Sequence, residues 1–285
     1  MTVGLAPITA ADVPEVARFM QTELNPRVDA TQWAGALDVP WVAHAPNHGF
    51  LLRDEDKVVG AYLAYYSERT IEGRTEPFCN LGAWCVLESH RSHGLRLLRA
   101  LLAQKGYHFT DLSPSGNVVP LNKRLKFQVL DTTTALVPNL PWPTLPGRCS
   151  VSSDASVLSA TLDGEDLRIY GDHQRAAAAR HVVLLSGGEH CYVMYRKDTR
   201  KGLRVFATVL HVGNAALFHR YSRHLSRYLL LHEGAAATLA ELRVVGERPP
   251  AAVTLRTSRP KMFRSPTLGP ENIDYLYSEL TCLAW

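Results

Sequence analysis

No apolar run in this sequence approaches the roughly 20 residues that a membrane-spanning helix needs. The amino-terminal stretch from Met1 to Ile8 lacks the basic start and long apolar segment of a secretory signal. Together these absences lead us to expect a cytoplasmic protein with no membrane partner. Five cysteines, at positions 79, 85, 149, 191 and 282, are odd in number and widely scattered. That pattern excludes a disulfide framework and suggests reduced thiols. Cys85, His90 and His93 match no compact Cys/His ligand spacing, so no metal is expected. The net charge of +4 is spread along the chain without a run of Lys or Arg. Nucleic-acid binders carry a stronger and more clustered footprint, so nucleic acid is not an expected partner. Arg220, Arg223 and Arg227, with His219 and His224, fall on one helical stretch and read as a solvated basic face.

What is present suits a globular protein of two domains. The 285 residues are 46% hydrophobic and 20% charged, enough to bury sizeable cores. In the first half the pattern predicts a short strand over 5–8, then a helix that Thr9 or Asp12 can cap, running to about Leu24. Two strands follow from Gly49 around the turn at 54–56, and a third runs over 78–87. Leucines at 95, 98, 101 and 102 predict a helix closed by Gly106. A strand over 108–112, a helix to Phe127 and a strand through Val137 complete the half. Pro138, Pro141, Pro143 and Pro146 then read as a stiff linker. The expected organisation is a domain over 1–140, a linker over 141–150 and a domain over 151–285. The second half predicts a helix over 170–179, strands over 181–186, 190–197 and 203–212, a helix over 214–231 and a strand over 238–245. This strand, helix, strand order suggests an internal repeat of fold.

Chemistry concentrates between Val86 and Leu98, where a strand hands over to a helix. A helix start offers unpaired N–H groups and the positive end of the dipole, which favour an anion. Gly94 lets a phosphate approach the backbone, and Arg91 can add a charge-assisted contact. Arg91-x-x-Gly94-x-Arg96 at such a junction resembles the pyrophosphate-binding loop of the GNAT acyltransferases, which use acyl-CoA. The stretch from Asn117 to Phe127 resembles the Asn-containing helix of the same family, and the likeness covers residues 3–137. The loop departs from the family pattern at Arg96, where a small residue is usual, and Lys126 stands for the glycine before Phe127.

The resemblance implies an α/β fold of the α+β type: two GNAT-like domains, each a mixed, largely antiparallel sheet flanked by helices. The second would be a degenerate copy, since Leu210-His-Val-Gly-Asn-Ala215 holds no Arg-x-x-Gly loop. It implies acetyl-CoA or another acyl-CoA as cosubstrate, contacted by Cys85, Val86, Leu87, Arg91, Ser92, His93, Gly94, Leu95, Arg96 and Asn117. It also implies N-acyl transfer to a small-molecule amine or amino sugar by direct attack. Glu88 is the candidate base and His90 a second proton-transfer group. Asn122 stands where many relatives place the tyrosine that protonates the leaving thiolate, and an amide can only hydrogen-bond the sulfur. Glu88 also reads as a plain surface carboxylate at a helix start, His90 and His93 as loop residues, and Cys79 and Cys85 as structural thiols. Other donors, carrier-protein or aminoacyl-tRNA borne, and a non-catalytic acyl-CoA sensor stay open as alternatives, as does a homodimer. Residues 25–48, with Trp33 and Trp41, are the expected wall of the acceptor pocket.

Overall fold

Along residues 57–71 both faces of the strand are apolar, which is the pattern of a central strand covered on two sides. In the computed structural model Ala61, Leu63 and Tyr65 pack into one layer and Tyr62, Ala64 and Tyr66 into the other. The structure describes residues 3–42, 45–145, 147–200, 203–256 and 258–284. Met1 and Thr2 of the amino-terminal reading, Ala43 and His44 of the expected wall, and Pro146 of the linker lie outside these residues.

The first half runs β1 (Gly4–Pro7), α1 (Val13–Glu23), α2 (Ala30–Leu37), β2 (Gly49–Asp54), β3 (Lys57–Ile71), β4 (Arg74–Val86), α3 (Gly94–Leu102), β5 (His108–Asp111), α4 (Val118–Arg124), β6 (Gln128–Val129) and β7 (Thr134–Pro138). The second runs β8 (Ser150–Ser152), α5 (Ala155–Thr161), α6 (Gly164–His173), β9 (Arg180–Ser186), β10 (Glu189–Arg200), β11 (Leu203–Val212), α7 (Ala215–Arg220), α8 (Ser222–Glu233), β12 (Ala237–Glu241), α9 (Leu242–Val245), β13 (Val253–Leu255), β14 (Met262–Arg264) and α10 (Glu279–Cys282). Two mixed, largely antiparallel seven-stranded sheets result, each flanked by helices, as the family resemblance implies.

Their orders are β1-β2-β3-β4-β5-β14-β6 and β13-β7-β12-β11-β10-β9-β8. The halves therefore trade one strand each. β7 belongs to the first half in sequence but pairs between β12 and β13, with Thr134 opposite Glu241. β14 returns the exchange, lying between β5 and β6 with Met262 opposite Asp111. A boundary near residue 140 thus divides the chain without dividing the sheets. One apolar cluster contains Phe78, Leu112 and Phe263 together with Tyr192, Leu210 and Tyr275, so the halves share core.

Several local expectations shift. The helix expected over 214–231 breaks at Tyr221 into α7 and α8, and the strand expected over 238–245 stops at Glu241. The helix expected over 170–179 lies earlier, at Gly164–His173, where Glu165 and Asp166 fill an acidic first turn. Part of the basic face on α8 holds the linker: Arg223 lies over the Trp142 ring at 5.0 Å, and Arg227 donates to the Trp142 carbonyl at 3.3 Å. No helix among the described residues is long and apolar enough to cross a membrane.

Candidate active site

β4 and β5 pair in parallel over only three positions, the last being Asn80 opposite Thr110. Past that point β4 continues to Val86 beside β3, while its other edge has no strand partner among the described residues. A bulge helps to part the strands: on β4 three steps separate Leu81 from Trp84, against two between Tyr62 and Ala64 on β3. Gly82 sits in the bulge, and a Cβ there would fall 2.6 Å from the Tyr65 ring. The extra residue reverses the alternation, so Leu81 and Trp84 face the α3 layer while Ala83 and Cys85 face α1 and α2. A cavity of about 800 Å³ occupies the gap.

At one end of the cavity stand Arg91, Gly94 and Leu95. A 3-10 turn over Glu88–His93 leads into α3, and no side chain caps the α3 start. The Gly94 N–H is taken by the Arg91 carbonyl, so the start favours an anion through the positive end of the α3 dipole and the Arg91 side chain. Of the residues that the resemblance assigns to the cofactor, Val86, Arg91, Gly94 and Leu95 line the cavity. Cys85 packs instead toward α1 and α2, where burial pushes its thiol up to about 11. The Leu87 N–H is engaged by the Val59 carbonyl at 2.9 Å. Ser92 and Asn117 are exposed, and the α4 turn beside Asn117 meets the cavity through Val118. Arg96 turns away to donate to the Val3 carbonyl at 2.8 Å and lies 3.5 Å from His93 Nδ1, fastening the helix to the start of the chain.

The expected proton-transfer residues are not brought together. Glu88 is exposed outside the cavity wall, 3.4 Å from the Arg91 guanidinium. His90 engages Asp54 through Nε2 at 3.1 Å and Ser89 through Nδ1 at 2.8 Å, on the β2–β3 turn. Asn122 alone reaches the cavity's polar groups, donating from Nδ2 to Asp111 Oδ2 at 2.8 Å. Trp33 is core, and Trp41 donates to the Tyr66 carbonyl at 3.0 Å while stacking on His173. Among its described residues, the 25–48 stretch supplies only Asn25 and Arg27 to the wall.

Asp111 is the group that the sequence reading missed. It ends β5, lines the cavity and is pushed up to about 7, by burial first and by the nearby Glu279 carboxylate second. Glu279 arrives from α10, 168 positions later in the chain; burial raises its own carboxyl, and its Oε1 accepts from Ser113 Oγ at 2.6 Å. Its N–H donates to Asn80 Oδ1 at 3.3 Å, beside the last β4–β5 pair. Tyr62 also lines the cavity, stacked on Trp84 at 4.7 Å, and burial holds its phenol well above its ordinary value. Trp84 Nε1 and Glu279 Oε2 are buried polar atoms with no hydrogen-bond partner among the described residues. A sequence signal for Asp111 existed: it is a carboxylate at the carboxyl end of a short strand, where ligands settle in open sheets of parallel strands. Glu279 had none.

The wall fits an acyl-CoA. The gap leaves a strand edge unpaired for an extended amide-bearing arm, and an uncapped helix start with Arg91 stands at the phosphate end. No group of three or more His, Cys, Asp or Glu that could hold a metal occurs among the described residues.

No known family pattern and no curated protein matches this chain. Solved structures do. A conserved protein of unknown function from Enterococcus faecalis V583 aligns with a TM-score of 0.59 at 13% identity, over 93% of this chain and 73% of that one. A GCN5-related N-acetyltransferase from Anabaena variabilis ATCC 29413 gives 0.57 at 10% identity, over 92% and 72%. A tandem GNAT protein from the clavulanic acid biosynthesis pathway gives 0.53 at 13% identity, over 92% and 98%. With its two sheets, its splayed strands and its uncapped helix, this chain has the tandem fold of the GCN5-related N-acetyltransferases.

Proposed function

We propose that the protein is an acyl-CoA-dependent N-acyltransferase whose active site is the cavity between β4 and β5, with Asp111 as general base. One observation carries the reading: a single cavity joins an uncapped helix start, flanked by Arg91, to a buried carboxylate whose pKa stands near 7. The bound thioester supplies an activated acyl carbon. Arg91 and the positive end of the α3 dipole hold the phosphate end, and the unpaired edge of β4 holds the arm. Asp111 takes the proton that the amine must lose. A pKa near the working pH is what a general base needs, because it is then both ionised and basic enough. Asn122 keeps that carboxylate oriented through its hydrogen bond. Tyr62, kept protonated by burial, can donate a hydrogen bond to the departing sulfur. Glu88 has no part in this assignment.

Calorimetric titration with acetyl-CoA tests the reading. Wild type should bind, Arg91→Ala should bind about 10- to 100-fold more weakly, as loss of a charge-assisted contact predicts, and Gly94→Trp should not bind. The Trp side chain would fill the mouth, whereas a bare Cβ at Gly94 meets Val86 and Trp84 only at 3.5 and 3.6 Å. Wild type that fails to bind acetyl-CoA sinks the assignment.

A further inference from the structure

The cavity wall draws residues from elements on both faces of the first sheet. Arg91 belongs to the α3 face, since the α3 start packs on Trp84 and Val86. On the other face α1 and α2 pack over Ala61, Leu63 and Ala83, and the loop between these helices brings Arg27 to the cavity wall. Two further wall residues come from the second half. Thr199 is near the end of β10, and Arg259 lies three residues before Met262, which pairs with Asp111. Because β14 runs antiparallel to β5, the segment leading into it arrives beside the carboxyl end of β5, where Asp111 stands.

Arg27 and Arg259 are both exposed, and neither makes an ion pair or a side-chain hydrogen bond among the described residues. By contrast Arg53, Arg69, Arg168 and Arg196 all meet carboxylates within 3.1 Å. Two unpartnered guanidinium groups in one cavity wall raise the local potential for an anion. Arg27 comes from the α1–α2 face and Arg259 from beside the carboxyl end of β5, while Arg91 stands at the α3 start, so the two groups offer an anion a place apart from that start. Asp111 lines the same cavity, and its ionised carboxylate attracts an ammonium.

On the proposed transferase reading, we infer that the acceptor is an amine that also carries an anionic group, a carboxylate or a phosphate. Its amine meets Asp111, and Arg27 and Arg259 hold its anion. The arrangement specifies both ends of a small zwitterion. It also gives the second half a task, since that half supplies Arg259 and Thr199 to a site on the first sheet.

Matched acceptor pairs test this: phosphoethanolamine against ethanolamine, and the dipeptide Ala-Ala against its carboxyl-terminal amide. Each pair shares an amine and differs in the anion. Thiol release from acetyl-CoA should favour the anionic member of at least one pair about tenfold or more, the worth of one charge-assisted hydrogen bond. In Arg27→Ala/Arg259→Ala that preference should collapse while acetyl-CoA still binds. Saturation-transfer NMR on the same pairs, with CoA present, reads binding even where turnover is slow. Equal binding and turnover of both members of both pairs overturns the inference and leaves the transferase reading standing. A wild-type protein that binds no acetyl-CoA removes both, and the calorimetry separates the two failures.

Discussion

The two sheets repeat one plan, yet only the first keeps its gap open. Register aligns them. The last parallel pair is Asn80 with Thr110 in the first sheet and Thr208 with Leu239 in the second. Two residues on, β4 has Gly82 in its bulge, and β11 has Leu210 in a bulge opposite Met194 and Tyr195. The leucine is buried and faces a void of only about 50 Å³. One residue past the pair on the adjoining strand, the first sheet has Asp111 and the second has Ala240. The helix starts differ as well. α3 has no side-chain cap, while Asn214 Oδ1 caps α7 by accepting from the Leu217 N–H at 3.0 Å. The Asp166 carboxylate presses against Gly213 just before α7 and meets His211 Nε2 at 3.0 Å, so an internal anion occupies the place a phosphate would take. Rounding off the closed side, Lys261 pairs with Glu241 at 2.6 Å and Arg196 with Asp198 at 2.9 Å. The open cleft is thus a set of omissions: a missing side chain at the bulge, a missing cap and a missing internal anion.

Asp111→Asn probes the sharpest difference, the carboxylate whose place Ala240 takes in the second sheet. Turnover should fall about 10²- to 10⁴-fold, the usual worth of a general base, while acetyl-CoA affinity persists. Full turnover by the variant would make Asp111 a structural group. The same substitution has a stability signature. The folded carboxyl stands near 7 against an ordinary 3.8, so the folded state holds the proton more tightly than the unfolded one. Its stabilising effect is complete below the lower value and is lost as pH rises through the upper one. The melting temperature of Asp111→Asn relative to wild type should therefore rise between the two values.

Much of this was legible in advance because it is local. The apolar run of β3, the leucines of α3 and the Arg91–Gly94 spacing each lie within one short stretch, and the strand, helix, strand order repeats within each half. The strand exchange was not legible. Apolar alternation marks residues 134–138 as a strand but carries no label for its partner, and nothing in 262–264 names β5. The site was half legible for the same reason. Its anion end is a contiguous motif. Its base is coupled to a carboxylate brought from α10, and Glu88 drew attention only through its place beside that motif.

Glu279→Gln tests that long-range coupling. Asp111 acts as a base only when ionised, and the Glu279 charge opposes its ionisation. Removing the charge should move the acidic limb of the kcat/KM profile to lower pH, so the variant retains a larger share of its maximum at about pH 6 than wild type does. The amide can still accept from Ser113, which separates the charge from the hydrogen bond. An unmoved limb would mean that Glu279 carries no charge where Asp111 titrates.

The smallest effect is expected on the closed side. Asn214→Ala removes the α7 cap, which should cost about 1 kcal/mol and lower the melting temperature by roughly 2 to 4 °C. Acetyl-CoA affinity and turnover should not change, because Asn214 is absent from the wall of the first cavity. The contrast with Arg91→Ala is the point of the measurement. If helix starts matter only as structure, both variants lose stability alone. If the first start is a binding surface and the second an internally satisfied one, Arg91→Ala weakens acetyl-CoA binding at little cost in stability, since its ion pair with Glu88 is exposed. Asn214→Ala then does the reverse. An Asn214→Ala variant that weakened acetyl-CoA binding would show that the second gap takes the cofactor too, and the division of labour between the sheets would fail.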